Sequence, residues 1–329
     1  MPEGLVVFDI SFTGGDTLLV ATQDNLHVCT VSGDKVVKAF SFPELEYTWI
    51  HTVIPIDENR WFAGTDYAGL FMISRMNGIL TATAIGDTTF MNMRIPSLVK
   101  GSEGSLLVAT REAGVLKVEF SSDFSDMERV EAYDIISGLP DNDIRTIFRD
   151  REENLWIGLF NRGLAAVTTN AYSFHVPDGS REINFIGTAG GQIVMGTRNG
   201  LYDYDRATGS FSDYRQLAAR TGGSGIVSWA CDDQGNIWMG TMGDGLWLMV
   251  IRAALRLFYR AQNPAQNRIN AIALEHRQHM AGNAKRGCAP RQGDRQAESR
   301  LHHPGDAASQ QCYTGGSQQE GRGAGGHPD

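Results

Sequence analysis

One short phrase recurs along the chain and restricts it to a narrow set of folds. It reads TLLVATQDNL from Thr17, RWFAGTDYAGL from Arg60, SLLVATREAGV from Ser105, NLWIGLFNRGL from Asn154, QIVMGTRNGL from Gln192 and NIWMGTMGDGL from Asn236. With Thr22, Thr65, Thr110, Leu159, Thr197 and Thr241 taken as equivalent, the intervals are 43, 45, 49, 38 and 44 residues. A period of about 40 to 45 with strand patterning belongs to radially stacked sheets and not to helical solenoids.

Each unit can be read as local physics. Upstream of the phrase lies an alternating run such as DIRTIFRD or GIVSWACDD, whose two-residue period is that of a half-buried strand. Clusters of Asp, Asn and Gly (RDREEN, CDDQGN, GSEGS, FTGGD) then supply turn positions. The phrase itself suits a buried second strand, with Trp156 or Trp238 near its centre and a small residue before the Thr to admit another backbone. A later Gly, at Gly69, Gly114, Gly163, Gly200 or Gly245, turns the chain into a third strand, and segments such as GSFSDYR supply a fourth. The expected fold is all-β: a β-propeller of four-stranded antiparallel blades occupying residues 1–272. Blades are expected near 5–47, 48–92, 93–137, 138–180, 181–223 and 224–266, with a seventh beginning near 267.

Composition narrows the function classes. A net charge of -9 argues against a nucleic-acid partner. No apolar run reaches membrane-spanning length, and MPEGLVVFDIS lacks the basic start and long apolar centre of an export signal. The chain as given therefore reads as unexported, hence cytoplasmic if made in this form. Cys29, Cys231, Cys288 and Cys312 have neither disulfide-framework nor zinc spacing.

The last stretch, 273–329, departs from the pattern. After Tyr259 its one aromatic residue is Tyr313, and five of the eight histidines fall from His276 onward. Such composition predicts a disordered tail. The genetic code gives a sharper account. Read one base later, the Met280–Ala281 junction must encode Trp, and its neighbours permit GNIWLGT, the phrase found as GNIWMGT at Gly235–Thr241. The preceding NRINAI at Asn267 matches NDIRTI at Asn142–Ile147. The expectation is a frameshift between about Ile272 and Gln278, a seventh blade that keeps only its first strand, and exposed faces on blades one and six.

Few residues offer chemistry. HRQH at His276–His279 lies in the shifted region and is not read as a metal pair. GTAGG at Gly187 and GGSG at Gly222 read as hairpin turns, because phosphate loops need a following helix. The acidic run PDNDIRTIFRDREE lacks calcium-loop spacing and reads as a solvated blade edge. Outside the tail the histidines are His27, His51 and His175, too few for a catalytic set. His51 opens a first strand and could point into a central channel, although a structural role is the favoured reading. No catalytic, cofactor or metal residue is assigned, and the ligand-binding residues stay unspecified.

The stretch GLPDNDIRTIFRDREENLWIGLFNRGLAAV, Gly138–Val167, resembles the repeat of two-component regulator propellers. Gly138, Leu139, Pro140, Asn142, Ile144, Ile147, Asp150, Leu155, Trp156, Ile157, Gly158, Gly163 and Leu164 match, with Leu159 in place of the usual Thr; Gly235–Leu246 is a second close match. The resemblance implies a non-catalytic, periplasmic sensor region of a histidine kinase, hybrid regulator or diguanylate cyclase. It also implies a small-molecule or oligosaccharide ligand and a homodimer of the full-length receptor. An interaction scaffold is the first alternative, and a lyase or hydrolase propeller the second.

Overall fold

The computed structural model describes residues 5–274 except 14, 33–34, 87, 123, 125, 169–170, 176–181, 190, 214–224, 251–254, 261 and 263–266. The expectations for HRQH, Cys288, Cys312, the shifted frame and the disordered tail lie outside these residues, as does most of GGSG. Six four-stranded sheets are present, each with its strands in sequence order and antiparallel to their neighbours. The first strands are Val7–Phe12, Ile50–Pro55, Ser97–Lys100, Ile144–Arg149, Ile183–Ala189 and Ile226–Cys231. They neighbour one another in series around an axis. The architecture is a propeller, and no helix among the described residues is long and apolar enough to cross a membrane.

Burial falls from the second strand outward. Arg60–Thr65 is buried from Trp61 onward, whereas the outer strand Lys35–Ser41 is exposed throughout. Apolar clusters fill the space between consecutive sheets, one joining Leu19, Leu26 and Val28 of the first blade to Val53, Trp61 and Ile73 of the second. Such burial between sheets is the main stabilising term, at roughly 25 cal/mol per Å² of apolar surface.

The phrase has a mechanical explanation. Its Thr is wholly buried in five repeats, and its hydroxyl donates to a carbonyl at the next turn: Thr65 to Gly69 (2.7 Å), Thr110 to Gly114 (2.9 Å), Thr241 to Gly245 (2.9 Å). The Thr carbonyl in turn accepts from the start of the following blade, Ile95 N–H to Thr65 at 2.9 Å and Ile144 N–H to Thr110 at 3.0 Å. One residue thus closes its own hairpin and ties two blades. The Gly before it permits that approach, since a Cβ on Gly64 would stand 2.9 Å from the Ile95 carbonyl oxygen.

Trp156 and Trp238 occupy equivalent buried positions. Each indole N–H donates to an Asp six residues earlier, Asp150 at 2.6 Å and Asp232 at 3.2 Å. Those carboxylates also accept the backbone N–H groups of the intervening turn, so the Asp and Asn clusters do cap hairpins. The run containing Asp150 is not the solvated edge expected of it. Its Ile144–Arg149 segment is an innermost strand and Asp150 is buried, because the alternating Ile144 and Ile147 bury one face while the carboxylate serves the Trp. In GTAGG, Gly187 lies on a first strand with the Trp229 ring against it, and Gly191, at φ 87°, makes the turn.

The segment from Asn267 to Leu274 begins a seventh repeat. Ile269 N–H donates to the Thr241 carbonyl at 2.9 Å and Gly245 N–H to the Asn267 carbonyl at 2.9 Å. The same two links join Ile144 to Thr110 and Gly114 to Asn142. Side chains then alternate: Ala271 and Ala273 pack on the first blade, Ile272 and Leu274 on the sixth. The expectation of bare faces on these blades is therefore corrected for their inner halves. Their outer strands keep exposed apolar groups, among them Val37 at 62% and Phe258 at 58% exposure.

Candidate functional site

The inner ends of the first strands and the segments leading into them build the site. In five sheets the pairing with the second strand slips by one residue at the same place: after Val7, Ile50, Ile144, Ile183 and Ile226. Each slip is a β-bulge, and the extra residue is Phe8, His51, Arg145, Asn184 or Val227. An unpaired bulge residue is free to aim its side chain off the sheet. All five line one cavity at the end of the central channel, of about 410 Å³. Pro96 of the third blade and Asn270 of the seventh repeat, each directly after the equivalent Ile, complete a ring of seven.

A second tier surrounds this ring. The residue before each Ile bonds by its carbonyl to the residue after the phrase's Thr: Asp66 N–H to Trp49 (2.9 Å), Arg111 N–H to Arg94 (3.1 Å), Phe160 N–H to Asp143 (3.0 Å). Trp49, Asp66, Arg94 and Arg111 thereby reach the cavity wall, and Arg268 joins them from the seventh repeat. The site is therefore held by backbone pairing on the rigid inner strands.

One wall is aromatic. Phe8 lies 5.7 Å from Trp49 and 4.8 Å from His51, ring centre to ring centre, and Trp49 is 48% exposed. The other wall is cationic. Arg94 Nε lies 3.1 Å from Asp66 Oδ1 with its guanidinium 4.5 Å over the Tyr67 ring. Arg111 grips both oxygens of Asp143 and covers Phe160 at 4.1 Å. Arg268 Nε donates to Asn270 Oδ1 at 2.8 Å, and Asn270 Nδ2 to the Val7 carbonyl at 3.0 Å, which braces the seventh repeat on the first blade. Burial pushes the Arg145 guanidinium down from its usual value; Glu182 and Asp143 oppose that, while Arg111 and Arg268 add to it.

His51, the one channel candidate named from sequence, does line the cavity, with Nε2 3.6 Å from Asp66 Oδ1. Burial lowers its pKa against the pull of Asp66, which keeps it neutral at pH 7. The other two histidines are structural: His27 contacts Thr22 and Ser41, and His175 contacts the Tyr204 hydroxyl at 3.0 Å. The remaining bulge residues were not named from sequence. Their signal was the position directly after the aliphatic residue that pairs with the phrase's Thr. Among the described residues, no group of three or more His, Cys, Asp or Glu could hold a metal ion.

Comparison with known proteins follows the same lines. The two-component regulator propeller family matches residues 138–161. No curated protein matches the chain in sequence. Among solved structures, the extracellular domain assigned to a hybrid two-component system, BT4673 of B. thetaiotaomicron, aligns with a TM-score of 0.65 at 19% identity, over 82% of this chain and 36% of that one. The corresponding BT3049 domain of the same organism gives 0.65 at 16%, over 81% and 37%. PorZ, a surface component of the type-IX secretion system of Porphyromonas gingivalis, gives 0.60 at 14%, over 82% and 44%. The chain thus spans less than half the length of each of these structures, and the likeness is one of fold. What the repeat at 138–161 and the six sheets together establish is a β-propeller carrying the two-component regulator propeller repeat.

Proposed function

We propose that this chain is the sensor propeller of an extracytoplasmic two-component or related signalling receptor, and that it takes up an environmental solute such as a carbohydrate at the channel mouth without converting it. The observation that carries the reading is the ring of bulge residues. Seven successive repeats deliver to one cavity the residue after their inner aliphatic position, in five of them a residue that the strand pairing leaves over, which is how a scaffold presents varied chemistry on a constant frame. The repeat at 138–161 and the fold shared with two-component extracellular domains support the signalling context.

Calorimetry of the purified chain against a panel of oligosaccharides tests this, with mass spectrometry of the same mixtures. Binding with unchanged ligand mass is expected, and binding should be lost in a His51→Ala, Arg145→Ala double variant. Cleavage or elimination of a bound ligand would overturn the reading in favour of an enzyme.

A further inference from the structure

The four arginines of the cavity wall are not equivalent. Arg94 and Arg111 each face a carboxylate, Asp66 and Asp143, and so are largely neutralised. Arg145 and Arg268 are not. Among the described residues no carboxylate lies within ion-pair distance of either; Arg145 has the Phe160 ring at 5.9 Å, and Arg268 has Asn270. Half-buried Arg145 stands on a bulge of the innermost strand, where backbone pairing fixes it and no structural role is visible for its charge. An unpaired guanidinium held out of bulk water is costly unless something anionic meets it. Four guanidiniums gather at this wall; Asp66 and Asp143 pair with two of them, and Glu182 acts on Arg145 from beyond ion-pair distance, which leaves a local excess of positive charge in a chain whose formal net charge is -9. The local field is thus opposite in sign to the average surface, and a cleft focuses such a field. In the same cavity, Phe8 and half-exposed Trp49 offer an apolar ring face.

We propose that the channel mouth recognises an acidic saccharide, its carboxylate or sulfate meeting Arg145 and Arg268 while a sugar ring lies against Phe8 and Trp49. The inference rests on the sensor reading and narrows it to a charge class. A planar, always-charged guanidinium suits bidentate recognition of carboxylate or sulfate oxygens. Asn184, whose Nδ2 is committed to the Ile226 carbonyl at 3.0 Å, sits on the same wall as a fixed polar neighbour.

The test is calorimetry of the full chain with three probes: a uronic-acid trisaccharide, a neutral trisaccharide of the same linkage, and inorganic sulfate. The uronate should bind at least about tenfold more tightly than the neutral sugar, with an affinity that falls as salt rises. Arg145→Gln should abolish that preference without lowering the thermal midpoint, since no carboxylate among the described residues lies within ion-pair distance of Arg145. Trp49→Ala should weaken the uronate and leave sulfate unaffected. Equal binding of acidic and neutral sugars would overturn the charge assignment and leave the sensor reading intact. Sulfate binding as tightly as the uronate would overturn the saccharide assignment. Conversion of either sugar to products would overturn the sensor reading itself, and binding of none of the three would overturn the present inference.

Discussion

The indole N–H of Trp156 donates to the carboxylate of Asp150 at 2.6 Å, and the same carboxylate oxygen takes Arg206 of the next blade at 2.6 Å. Arg206 also lies over the Trp156 ring, 5.2 Å from its centre. A single buried Asp therefore caps a turn, orients a core aromatic and fastens two blades. Asp150→Ala should lower stability by about 3–5 kcal/mol, because the buried Trp156 N–H and the turn N–H groups of Glu152 and Asn154 lose their acceptor at about 1–3 kcal/mol each. Denaturant titration reads this directly. Trp238→Ala in the sixth blade should cost a similar amount, about 3–5 kcal/mol, because stiff sheets cannot collapse into the cavity. A loss below about 1 kcal/mol at either site would mean that the inter-blade layer is not what holds the fold.

Asp9 predicts a pH dependence of stability. Its carboxylate accepts from Ile10 N–H at 2.8 Å and from Val53 N–H at 2.9 Å, joining blades one and two. Burial pushes its pKa up to about 6, against the lowering effect of the Val53, Ile10 and Thr52 hydrogen bonds. The folded value then exceeds the unfolded one of about 3.9, so the protonated form is favoured by folding. Its contribution, about 2–3 kcal/mol at full extent, is present below about pH 4 and lost as pH rises through about 6. The difference in unfolding midpoint between the parent chain and Asp9→Asn should therefore grow in the parent's favour from pH 7 to pH 4.5. A difference that stays constant over that range would show that Asp9 does not titrate there.

The repeat frame was legible in the sequence, and the site mostly was not. Thr65, Thr110 and Thr241 perform one backbone task at one position, so the phrase recurs in letters as well as in structure. The ring positions perform no shared backbone task, and Phe8, His51, Pro96, Arg145, Asn184, Val227 and Asn270 have no chemistry in common. Only their spacing marks them. Arg145 was further hidden inside a run whose carboxylates suggested a solvated edge, since charge counting along a chain does not show that alternate residues face opposite ways.

His51 predicts a pH dependence of binding. It is flanked at the mouth by Asp66, Arg94 and Arg145, and burial, the largest effect, lowers its pKa. The ring is neutral at pH 7 and gains a proton only as pH falls below its ordinary range near 6.5. That proton adds positive charge to the cavity, so uronate affinity should rise in acid, and His51→Gln should flatten the profile. Affinity that falls on acidification in the parent chain would remove His51 from the ligand's surroundings.

The seventh repeat predicts a gain from changing the reading frame. Its opening segment already makes the Thr241–Ile269 link. Reading the codons after about Leu274 one base later should supply the GNIWLGT strand beside Ile272 and Leu274 and cover Phe258 on the sixth blade. The re-framed chain should unfold at a higher temperature than the present one. An unchanged midpoint would show that no blade forms there.

The bulge ring has a consequence for how such a receptor can diversify. On the proposed reading, the residues that meet the ligand include five that the ladder does not use, and His51 or Arg145 can be exchanged without altering the register of its sheet. Recognition then becomes a word written one letter per repeat, and the letters at bulges such as His51 and Arg145 can be revised apart from the grammar that keeps the blades together.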